Sequence, residues 1–155
     1  YQEPINTFNC NKVEVSKMIE VFQIEINLLN IVQSLIGLFL SIALLQSGFD
    51  KIIDRKGNLE WLSSHFSDSP LRGLVPLLLN VVTVLEIFAG SCTLIGSFVN
   101  LVNGNNMLLT IGLLIAALNF LALFLGQRIA KDYEGAAVLV NYFILNILGL
   151  LALAN

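Results

Sequence analysis

Four apolar runs, each long enough to cross a hydrocarbon core, constrain what this chain can fold into more than any other feature. A helical span needs about 20 mostly apolar residues, and the runs fall at about Leu28–Phe49, Leu74–Val99, Met107–Gly126 and Ala136–Ala154. Inside lipid every backbone polar group has to be satisfied within the protein, and runs this long without alternation are not barrel strands, so they read as helices. The expected fold is therefore all-α: a four-helix transmembrane bundle over 28–155, preceded over 1–27 by a tail and an N-terminal amphipathic helix. Composition agrees, with 56% hydrophobic and only 12% charged residues, against roughly 25% charged in a soluble domain. The first run is too long for the apolar core of a secretory signal and is followed by the Asp50–Lys56 charge cluster, so it is expected to stay in the membrane.

The helix expected at about 12–27 rests on Val15, Met18, Ile19, Phe22, Ile26 and Leu29, which recur at steps of three and four. It reads either as an interfacial anchor or as a docking surface for another subunit, and the anchor needs no partner. The connection from Asp50 to Gly73 is long and charged, with Leu59, Leu62 and Phe66 at helical spacing and Trp61 and His65 alongside, as in a short helix at headgroup level. Ser69-Pro70 reads as a helix N-cap and first-turn proline opening the second span, with Pro76 still near its start. The Asn100–Asn106 connection reads as a tight turn, since Gly and Asn tolerate left-handed backbone. Basic residues set the orientation. Lys51, Arg55, Lys56, Arg72, Arg128 and Lys131 lie on one side and only Lys12 and Lys17 on the other, which places loops one and three in the cytoplasm and both termini outside.

Several function classes are disfavoured at this point. A formal net charge of −3 offers no basic surplus for a phosphate backbone, so no nucleic-acid partner is expected. One histidine and two cysteines do not make a closed zinc site, so neither a metal centre nor an intrinsic cofactor is expected. Cys10 and Cys92 lie far apart and form no redox motif, and His65 has no nucleophile placed beside it by a recognisable motif, so no catalytic residue is assigned.

Small and polar residues fall on one face of each of the first three spans: Ser34, Gly37, Ser41 and Gly48; then Thr83, Glu86, Ala89, Gly90, Thr93, Gly96 and Ser97; then Gly112, Ala116, Asn119, Ala122 and Gly126. Such faces let helices approach closely in lipid and read as packing surfaces. Glu86 stands apart, because a charge at mid-bilayer costs on the order of 2.5–3.5 kcal/mol even on the gentler scales. Asn119 and Asn146 sit near the middle of their own spans, so the expectation is a buried polar layer of Glu86, Asn119 and Asn146, in which Glu86 is neutral unless a cation from another chain reaches it. It serves either as a clasp holding the bundle or as a proton or quinone-headgroup site. Asp50, Lys51 and Arg128 are expected to form a separate interfacial charge cluster.

Gly48-Phe49-Asp50-Lys51-Ile52 at the end of the first span, Leu85-Glu86-Ile87-Phe88-Ala89-Gly90 in the second, the Lys56–Leu62 loop text and the Gly126–Asp132 stretch together resemble the DoxX family of small bacterial membrane proteins, over residues from about 28 to the end. The resemblance implies a four-helix protein of the bacterial inner membrane, whose founding relatives are subunits of quinone-linked assemblies. It also matches Lys51 and Glu86 to the family's recurrent Gly-x-x-Lys and mid-helix Glu features. The expected function is that of a non-catalytic accessory subunit of a larger membrane complex, with the lipid bilayer and other membrane subunits as partners. The alternatives are a quinone-interacting oxidoreductase component using Glu86 or Lys51, with quinone or lipid as ligand, and a small-solute or ion transporter.

Overall fold

The computed structural model describes residues 18–21 and 24–154. Two short strands, β1 (Met18–Val21) and β2 (Ile24–Asn27), pair antiparallel with Ile19 opposite Ile26 and lead directly into the first span. The amphipathic helix expected at 12–27 is thus extended backbone in its described part, while 12–17 and 22–23 lie outside the described residues. Five helices follow: α1 (Leu28–Ile53), α2 (Arg55–His65), α3 (Val75–Asn103), α4 (Met107–Ile129) and α5 (Tyr133–Leu153), with a 3₁₀ turn at Arg72–Leu74. α1, α3 (with that turn), α4 and α5 are long and apolar enough to cross a membrane, so the chain is a multi-pass membrane protein of the expected four-span, essentially helical class.

Local signals explain most boundaries. Asn27 caps α1 by accepting from the Leu29 N–H at 2.9 Å, Asp54 caps α2 by accepting from Gly57 N–H at 3.0 Å, and Asp132 caps α5 by accepting from Gly135 N–H at 2.8 Å. Ser69 Oγ does accept from the Leu71 N–H at 3.2 Å, but it closes only a turn. The helix proline of the second span is Pro76 in the first turn of α3, not Pro70. α3 then runs to Asn103, four residues further than expected, and stops where Gly104 takes φ 67° and ψ 8°. That left-handed cap suits glycine best and asparagine next, and it shortens the expected 100–106 turn to Gly104, Asn105 and Asn106.

The stripes pack as anticipated over most of their length. Every small or polar residue singled out on the first two spans is buried, as are Gly112, Ala116 and Asn119 on α4. A Cβ at Gly96 would overlap the Leu109 backbone, and one at Gly112 would sit 2.7 Å from the Thr93 backbone nitrogen. α3 and α4 are therefore an antiparallel pair in near-backbone contact. Ala122 and Gly126 depart from the expectation, being exposed and half-buried at the end of α4 near α2. Phe39, Ile42, Val84, Phe88, Ile95, Leu118, Val138 and Ile144 point outward, as a lipid-facing surface requires.

Candidate functional site

Contacts along the α1–α3 pair determine what lies level with Glu86. Asn30 of α1 lies against Gly104, Ser34 against Ser97 and Asn100, Leu45 against Gly90, and Gly48 against Glu86 and Ile87. α1 therefore ends at Ile53 only about a turn past the level of Glu86, whereas α3 continues on that side for the eleven residues from Val75 to Leu85. At 1.5 Å per residue, that extension is about 16 Å. Glu86 is central in its own helix but close to the end of α1.

This offset brings Lys51 to the acid. Lys51 Nζ lies 3.0 Å from Glu86 Oε2 and 3.1 Å from Oε1. It also donates to Ser47 Oγ at 2.6 Å and the Ser47 carbonyl at 3.2 Å, and Ser47 Oγ in turn donates to Glu86 Oε1 at 3.0 Å. The Glu86 side chain is 2% exposed and that of Lys51 16%. A lysine stem reaches several ångströms from its backbone, so a residue counted at the interface delivers its charge to the interior.

The expected polar layer is corrected accordingly. The cation that meets Glu86 belongs to the same chain, and the hydrogen bonds of its carboxylate within the described residues go to Ser47 and Lys51, not to Asn119 or Asn146. Asn146 Nδ2 donates to the Leu113 carbonyl at 3.1 Å. Asn119 is fully buried, and its amide makes no hydrogen bond within the described residues. The polar layer that does form lies at the Gly104 end. Asn100 Nδ2 donates to Gln33 Oε1 at 3.1 Å and Ser34 Oγ at 3.2 Å, and Gln33 Nε2 donates to the Ala152 carbonyl at 2.7 Å, tying α1, α3 and α5 together. Its signal was available in the sequence, since Gln33 and Ser34 open the first span as Asn100 closes the second.

The interfacial cluster of Asp50, Lys51 and Arg128 does not assemble either. Lys51 turns inward, Arg128 stacks over the Tyr133 ring at 4.6 Å, and among the described residues Asp50 has no ion-pair partner within 4.0 Å. A different cluster ties α2 to the bundle. His65 Nε2 lies 3.1 Å from Gln127 Oε1 and 3.5 Å from Asp132 Oδ2, with the ring stacked on Trp61 at 4.8 Å. Phe66, which ends α2, is buried.

Two cavities flank the ion pair. One, of about 550 Å³, is lined by Phe39, Ile42, Gln46, Ser47 and Asp50 of α1, Glu86 of α3, Phe120 and Leu123 of α4, and Leu139 and Tyr142 of α5, so it lies between α1 and α5 with exposed Phe39 and Ile42 on its rim. Tyr142 stands between Phe39 and Phe120, at 6.4 and 6.0 Å from their centroids, as an aromatic wall. The other, of about 260 Å³, lies under α2 between α3 and α4 and is apolar apart from Lys51 and Gln127. Leu123 is common to both linings, with Glu86 in the first and Lys51 in the second. No family model, curated protein or solved structure matches the chain.

Proposed function

We propose that this chain is a ligand-seating subunit of a bacterial inner-membrane assembly, holding a lipid-soluble molecule with a polar head in the cavity between α1 and α5. The observation that carries this reading is the floor of that cavity, where an intramembrane carboxylate, held from behind by Lys51, lies beside apolar and aromatic walls. Ligand sites combine apolar walls with a few convergent polar groups in this way, and an ionisable residue within a span marks a functional site by default. A quinone-class headgroup fits the dimensions, its ring against the Tyr142 and Phe120 wall and its tail leaving past Phe39 and Ile42 toward the lipid. A subunit of this kind needs no chemistry of its own, which keeps the accessory role and the DoxX-like reading together. With loops one and three in the cytoplasm, the cavity floor lies in the cytoplasmic half of the bilayer.

The test is a titration of the full chain in lipid nanodiscs with a short-tailed alkylbenzoquinone and, in parallel, with its alkylhydroquinone. Phe39→Trp at the rim, in a Trp61→Phe background, serves as the fluorescent reporter. Saturable quenching is expected from at least one form, and Ala43→Phe, which puts a ring into the cavity from the α1 wall that Ala43 also lines, should abolish it. Quenching that rises linearly with both forms, with and without Ala43→Phe, would rule the site out.

A further inference from the structure

We infer that the α1–α5 cavity selects ligands whose polar end donates a hydrogen bond, so that it takes a lipid-soluble phenol, quinol or alcohol in preference to the corresponding carbonyl or ether. This rests on the reading of that cavity as a ligand site and adds a chemical class to it.

At the Glu86 end of the cavity the donors are committed and the acceptors are not. Lys51 carries three N–H donors, and the Ser47 carbonyl, Ser47 Oγ and the Glu86 carboxylate already occupy them. The Ser47 hydroxyl proton is committed as well, to Glu86 Oε1. No cationic or hydroxyl donor of the cluster is left for a ligand. The acceptors are in surplus. A carboxylate offers about four lone-pair sites, and Glu86 Oε2 has the Lys51 charge beside it at 3.0 Å but receives no well-formed hydrogen bond. The Asp50 carboxylate, also in the lining, has no ion-pair partner within 4.0 Å among the described residues. Gln46 and Tyr142 can each donate or accept, so they accommodate the second half of a hydroxyl without favouring a carbonyl. A ligand hydroxyl gains a charge-assisted bond here, whereas a ketone or ether oxygen finds only the neutral donors of Gln46 and Tyr142 and nothing from the carboxylates.

A hydrogen bond to an ionised group supports a preference of about tenfold to hundredfold. The probes are 4-nonylphenol and its O-methyl ether, which share one tail and differ in the donor alone. Both are added at equal concentration to the full chain in nanodiscs, and the adducts are counted by native mass spectrometry. The phenol adduct is expected to exceed the ether adduct by at least tenfold, and Glu86→Gln is expected to shrink that ratio severalfold. Where Glu86→Gln alone does not fold, the variant that also carries Lys51→Met takes its place. Equal adducts, or an excess of ether, overturn the donor preference while leaving the ligand site standing. Absence of both adducts overturns the site as well. An undiminished ratio in the Glu86 variant overturns the assignment of that carboxylate as the acceptor.

Discussion

Replacing Lys51 with Met removes the ammonium and keeps most of the stem, and the structure fixes what that should cost. Glu86 is 2% exposed and has no other cation within reach among the described residues. Removing one partner of a buried ion pair costs about 3–5 kcal/mol, because the other charge is left uncompensated. Lys51 keeps 16% exposure, so the pair is not wholly desolvated and the lower end, about 3 kcal/mol, is expected. Glu86→Leu should cost less, about 1–2 kcal/mol, since the freed lysine can turn its head toward the headgroups. Lys51→Met combined with Glu86→Leu leaves no orphaned charge and should unfold within about 1 kcal/mol of the parent. The cycle therefore gives a coupling of about 3–5 kcal/mol. Reversible unfolding of the four proteins in mixed micelles of a mild detergent and dodecyl sulfate measures it. A Lys51→Met cost below 1 kcal/mol, or a double variant equal to the sum of the singles, would refute the claim that the pair is a buried, mutually dependent unit.

Three further outcomes follow from the packing. Gly96→Ala and Gly112→Ala each force α3 and α4 apart and should cost about 1–3 kcal/mol in the same assay, while Gly73→Ala, where an added Cβ meets nothing within 4 Å, should stay within about 0.5 kcal/mol. Gly104→Ala places a side chain at φ 67° and should cost about 1–2 kcal/mol, with Gly104→Asn costing less, read as a shift in thermal midpoint. Asp132→Ala removes both the cap on Gly135 and the carboxylate facing His65, for about 1 kcal/mol. Asp132→Asn keeps the capping oxygen and should recover most of that, whereas equal losses in the two variants would make the contact to His65 the larger of the two terms.

Where the sequence was legible, one physical rule acted on one helix at a time. Apolar length gave the four spans, and the small-residue spacing gave the buried face of α3 almost residue for residue. It failed where the answer depended on how two helices are offset. Counting along each span placed Glu86, Asn119 and Asn146 at one depth, but α3 overshoots α1 by nearly two turns, which brings Lys51, near the end of α1, within reach of Glu86. Ser47, one turn before Lys51 on the same helix face, was the signal for this, since a hydroxyl and an ammonium four residues apart can serve one inward-facing acid. The segment at 12–27 failed differently. Its three-and-four spacing fits a helix, yet Val, Ile and Phe also favour strands, and the described part pairs Met18–Val21 with Ile24–Asn27.

Clasp and ligand site were opposed readings of Glu86 in the sequence, and the geometry removes the opposition. The pair that ties α1 to α3 is also lining for two cavities, with Glu86 in one and Lys51 in the other. A purely structural clasp would be served as well by an apolar pair, because buried ion pairs are often neutral or worse against hydrophobic replacements of similar volume. Stability alone therefore gives no reason for this pair over two apolar side chains. The two roles separate in one protein, the Lys51→Met, Glu86→Leu double variant. If the pair is only a clasp, that variant keeps both its fold and any binding in the α1–α5 cavity. If the pair seats a ligand, the variant unfolds like the parent in micelles and loses saturable quenching by the alkylhydroquinone, whose hydroxyl has lost its acceptor, although no cavity wall has been filled.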